Sequence, residues 1–268
     1  MPKEILSKNI IESELAERNM HLFVYGKNDK KRERLLKEIA DNHPFVFNSQ
    51  EKCVVYIDEI GFPFLEQKDS RLDLSKRESI AFEYLNFTIV QAILIKISKA
   101  KQENLDAINQ VVNAFRYYKD FDSIEEVIKC LQESREFYLS CYNDAENYSL
   151  SHLEKLSIQF IFDISMMIND IQTATKNDSS FQIILDRKGK IAIESVNAIN
   201  SIVNMRCNGA LSVKVVCEVD EWETNRDITN SFPEYIHDYD ILDLDGSYKK
   251  SLNKRMESFK SKFDNMDD

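Results

Sequence analysis

From Met20 to Leu36 the chain reads MHLFVYGKNDKKRERLL. Leu22-Phe23-Val24-Tyr25 packs four large β-formers together, which predicts a buried strand. Gly26 breaks it, a polar loop follows, and Arg32 to Ala40 resumes at helical spacing through Leu35, Leu36 and Ile39. His43-Pro44 closes that helix, because the residue before a proline is pushed out of the α region. Ahead of the unit, Ile5, Leu6, Ile10, Ile11 and Leu15 predict an amphipathic lead-in helix over residues 3–18. Behind it, Cys53 to Ile57 predicts a second buried strand ending at Asp58-Glu59.

Glu66 to Arg77 reads as a charged loop. From Glu78 to Lys99 the sequence is apolar on most of its circumference, which predicts a helix buried among others. Helical spacing continues through Leu105 to Phe115, Ser123 to Tyr138 and Leu150 to Ile171, and Ser123 with Glu126 forms a capping-box pair. This block holds no glycine or proline. After Asn177 the pattern alternates again: strand Phe181 to Leu185, helix Ile191 to Met205, strand Leu211 to Val219, strand Ile241 to Leu244, and a terminal helix over Tyr248 to Phe263. Strands separated by helices predict an α/β fold with a parallel sheet and right-handed crossovers. The segments are 1–77 and 177–268 as two parts of one α/β core, with 78–176 as a helical insertion.

Composition narrows the function classes. The chain has 268 residues, a formal net charge of −11 and a pI near 5.0, so its surface as a whole repels nucleic acid. Its five cysteines are scattered without a CxxC pair, which predicts reduced, buried thiols and no zinc centre. The N-terminal stretch alternates charged and apolar residues, unlike a signal peptide, and Leu153 to Ile171 carries too many charges for a membrane span. The expected compartment is the cytoplasm.

Strand, glycine turn and helix is the frame of a phosphate-binding loop. With FEYLNFTIVQAIL as an early helix, and FQIILD followed by IESVNAINSIVNMRCNGALSVKVV as the third and fourth strands with their helix, the chain resembles a P-loop ATPase of the AAA+ group. Within that group it resembles the bacterial relatives of the origin-recognition ATPases, with a helical insertion. The resemblance implies a P-loop-NTPase-like core, ATP and magnesium as ligands, and a role beside an active ATPase or nuclease in a mobile-element or phage-defence system.

The motifs depart from that family. A loop of the form GxxxxGK[ST] uses a second glycine, a lysine for the β/γ-phosphates and a hydroxyl for magnesium. Counted from Gly26, those places hold Lys31, Arg32 and Glu33. Arg32 still offers phosphate a cation, but Glu33 sets a carboxylate where a hydroxyl should meet the metal. The third strand ends in Asp186 followed by Arg187, without the glutamate that polarises water. Asp58-Glu59 is a better-looking acidic pair, but it ends the second strand.

The candidate nucleotide contacts are therefore Gly26, Lys31 and Arg32, and the candidate metal ligands Asp58, Glu59 and Asp186. Lys27, Lys30, Lys31, Arg32 and Arg34 read as a solvated helix face or an anion site. Asp238, Asp240, Asp243 and Asp245 read as one acidic face at a sheet edge or turn, and Cys207 with His237 as a thiol–imidazole pair only if folding unites them. Three functions follow. The first is a catalytically degenerate P-loop-fold protein that binds another protein, with no nucleotide cofactor. The second is an active ATPase with a variant loop using ATP and magnesium, and the third a nucleic-acid adaptor.

Overall fold

A computed structural model of the chain describes residues 8–27, 29–58, 73–100, 104–117, 119–143, 164–176, 180–186, 192–204, 210–218, 231 and 238–264. Helix α1 (Lys8–Glu12) runs into one π-helical turn (Ser13–Glu17) and leads to strand β1 (His21–Tyr25). Helix α2 (Lys30–Asn42) and strand β2 (Cys53–Asp58) follow. The helical block holds α3 (Leu74–Lys99), α4 (Leu105–Ala114), α5 (Ile124–Asn143) and α6 (Ile164–Thr175). Strand β3 (Phe181–Asp186), α7 (Ile193–Asn204), β4 (Leu211–Cys217), β5 (Tyr239–Asp243) and α8 (Ser247–Asp264) complete the described chain.

The five strands form one parallel sheet in the order β2-β3-β4-β1-β5. Side chains alternate across it, and both faces are buried, as a parallel sheet requires. Leu22, Val24, Val54, Ile184, Val216 and Leu242 face the N-terminal helical turns and α2. Phe23, Tyr25, Val55, Ile183, Leu185, Val213 and Val215 face the opposite side, in one cluster that runs on into α3–α7. The crossover helix after β1 thus lies on one face of the sheet and the one after β3 on the other.

Polar side chains fix the helix starts. Asp29 accepts from the Arg32 amide at 2.9 Å, Asp73 from Lys76 at 2.8 Å and Asn104 from Ala107 at 3.0 Å; such caps contribute about 1 kcal/mol each. Ser123 accepts from the Glu126 amide at 3.2 Å, while the Glu126 carboxylate reaches one residue beyond the expected box to the Asp122 amide at 2.9 Å. Asp73 also corrects the sequence reading. Its cap starts α3 at Leu74, so Leu74 to Arg77 is helix rather than loop.

Helix α3 is long and apolar enough to cross a membrane, but 72% of its most apolar window is buried inside the protein, against α5 and α7 among others. It is an interior helix; residues 144–163, which include most of the Leu153–Ile171 stretch, lie outside the described residues.

Candidate functional site

The carboxyl ends of the strands, where neighbouring crossovers leave for opposite faces, are where doubly wound sheets hold ligands. Gly26 lies there, buried, directly after β1. A Cβ added to it would stand 3.1 and 3.2 Å from Leu244 side-chain carbons. The glycine is therefore explained by close packing against the chain leaving β5. Its amide donates to the Cys217 carbonyl at 3.1 Å, and the Leu244 amide donates to the Tyr25 carbonyl at 2.8 Å.

Three of the described loop amides are committed to the protein itself. The Lys27 N–H donates to Asp245 Oδ2 at 3.1 Å, the Arg32 N–H to Asp29, and the Glu33 N–H to the Asp29 carbonyl at 3.2 Å. A helix N-terminus attracts an anion through its unpaired N–H groups and its dipole; here Asp29 supplies that anion. Burial pushes the Asp245 carboxyl up, but hydrogen bonds from Ser247 and Lys27 outweigh it and hold the carboxyl below its ordinary value.

Arg32 is the exception within the basic cluster. Lys27, Lys30, Lys31 and Arg34 are exposed, whereas Arg32 is 5% exposed and turns inward. Its Nη1 donates to the Gly26 carbonyl at 2.6 Å and its Nη2 to Asp186 Oδ1 at 2.8 Å. Asp186 ends β3 with no exposed surface, and its Oδ2 accepts from the Tyr56 hydroxyl at 2.8 Å. Burial first, and the Asp186 hydrogen bond second, push the Tyr56 phenol well above its ordinary range.

Asp58 stands in register with Asp186 on the neighbouring strand, so both side chains share the α2 face. On the exposed half of that face one cation is shared by two carboxylates. Lys37 lies 2.8 Å from Glu33 and 3.0 Å from Asp58, with its ammonium 5.6 Å above the Tyr56 ring. Glu33 and then Asp58 hold the Lys37 ammonium above its ordinary range.

The structure therefore unites Gly26, Arg32 and Asp186, and sets Asp58 beside them. Lys31 is exposed. Glu59, Arg187, Cys207 and His237 lie outside the described residues. No group of three metal-binding side chains occurs among the described residues. The expected single acidic face divides: Asp240 meets Arg18, while Asp243 and Asp245 accept from the Lys249 and Ser247 amides. The division follows from strand geometry, since residues three apart point to opposite faces. The β5 edge position agrees with the expectation.

Sequence reasoning missed Tyr56, Lys37 and Asp29, and it placed Asp245 on an acidic sheet-edge face rather than at the loop after β1. Two signals were present: Glu33 and Lys37 are four apart on one helix, and Tyr56 lies two residues before Asp58 on the same strand face. No family model matches the chain, and neither a curated protein nor a solved structure matches it.

Proposed function

We propose that this chain is a catalytically degenerate P-loop-fold protein that works by binding another protein rather than by turning over nucleotide. The observation that carries the reading is the buried Arg32–Asp186 ion pair. By position these are the residues that would meet phosphate and metal. Here each neutralises the other, and Gly26 and Tyr56 take further hydrogen bonds of the pair. Nucleotide binding through them would first separate two charges shut off from water, a step that costs several kcal/mol.

The neighbouring groups support the same reading. Asp29 and Asp245 hold three of the loop's amides, those of Lys27, Arg32 and Glu33, and Glu33 occupies the hydroxyl's place while paired to Lys37. The parallel sheet, with a strand between the loop strand and the acidic strand, is compatible with a P-loop-type core. The partner chemistry that the resemblance suggests is an ATPase or nuclease of a mobile-element or defence system, in the cytoplasm.

The reading is tested by calorimetry with magnesium-ATP, alongside a phosphate-release assay on the same preparation. No binding and no turnover are expected. Micromolar binding, or turnover lost in Asp186→Ala or Asp58→Ala, would replace this reading with the variant-loop ATPase.

A further inference from the structure

Helix α8 is attached to the rest of the fold at its beginning. Tyr248, in its first turn, stacks on Tyr25 with ring centroids 4.7 Å apart and planes 10° from parallel. Four and eight residues on, Leu252 and Met256 continue that line along the helix, but they are 46% and 56% exposed. In sequence, Phe259 and Phe263 extend the same apolar spacing. A helix of this length is marginal in water unless its apolar face is covered.

Its charge says what covers it. Residues 247–264 hold six basic residues (Lys249, Lys250, Lys254, Arg255, Lys260, Lys262) against Glu257 and Asp264, in a chain whose total is −11. Two α8 helices would repel each other, so pairing of α8 with α8 is disfavoured. A membrane or nucleic acid would attract the helix and repel the acidic remainder. A second copy of the chain offers an acidic helix of matching length. Helix α5, 20 residues long, exposes Glu125, Glu126, Glu133 and Glu136 against one exposed cation, Lys129, while Arg135 is half-buried on Gln91 and Tyr84; Ile128 and Leu139 are half-buried at the margin of that face.

We propose that α8 is a docking surface for a second copy of this chain, its apolar line and the cations that flank that line at helical spacing, Lys249 and Arg255, lying along the acidic outer face of the partner's α5. Two such contacts, each copy giving α8 and receiving the other's, close a two-fold dimer. This surface is separate from the Arg32–Asp186 cluster, so either proposal can fail without the other.

The test is sedimentation equilibrium of the full chain over a concentration series at low and high salt. A dimer that weakens with salt is expected. Leu252→Glu with Met256→Glu, both at exposed positions, should raise its dissociation constant by at least about tenfold while leaving the circular dichroism spectrum of the body intact. Lys249→Glu with Arg255→Glu, the positions that flank the apolar line at helical spacing, should weaken it as well, and adding Glu133→Lys with Glu136→Lys should restore it. A monomer at every concentration overturns the proposal, as does a dimer indifferent to the α8 substitutions, or monomers that bind phosphatidylglycerol vesicles through α8.

Discussion

Arg32 Nη2 lies 2.8 Å from Asp186 Oδ1, tying the first turn of α2 to the end of β3 with side chains 4% and 0% exposed. Removing either partner leaves a buried charge uncompensated. Arg32→Ala or Asp186→Ala should each cost about 3–5 kcal/mol in urea denaturation. The apolar pair Arg32→Met with Asp186→Leu should cost less than the sum of the two single changes. Additive losses would show that the two charges do not depend on each other.

Gly26→Ala tests the packing account of the loop. The new methyl would meet Leu244 at 3.1 Å, and the loss should be about 1–3 kcal/mol. Leu244→Ala in the same chain should recover part of the Gly26→Ala effect, which a backbone-strain account does not predict.

The Tyr56 hydroxyl gives a pH signature. Its phenol is raised above the ordinary value of 10.0, so above that pH the folded state holds a proton the unfolded chain has lost. Its contribution is therefore full below about pH 10 and declines as pH rises further. Tyr56→Phe should lower stability by about 1.5–3 kcal/mol at neutral pH, since the lost bond goes to a carboxylate. It should also flatten the alkaline limb of the stability curve.

Lys214 acts with the opposite sign. It is fully buried, and its Nζ donates to the carbonyls of Arg18, at 2.6 Å, and Met20. Burial, reinforced by Arg18 and Lys52, lowers its pKa from 10.5 to about 7. Between those values the unfolded chain binds the extra proton, so this group's contribution to stability rises with pH. Chemical denaturation from pH 7 to 9 should show a shallower pH slope in Lys214→Met than in the parent chain.

Much of the architecture was legible because it is locally encoded. Runs such as Leu22–Tyr25 and Phe181–Leu185 are buried on both faces and read as strands whatever their order in the sheet. The site was legible only as separate residues. Arg32 sits in a run of cations that reads as solvated; its burial depends on Asp186, 154 positions away. Asp245 meets Lys27 across 218 positions, and Leu244 explains Gly26 only once β5 lies beside β1. Such pairings depend on strand order, which periodicity within one segment does not carry.

The most direct test of the central claim is a thermal-shift titration of the full chain with ATP, ADP and GTP, with and without magnesium. A ligand that binds the folded state at one hundred times its Kd adds about 2.7 kcal/mol, so even weak affinity registers at millimolar nucleotide. The occupied Arg32–Asp186 site predicts an unchanged melting temperature in every series. A melting temperature that climbs with nucleotide concentration would contradict it.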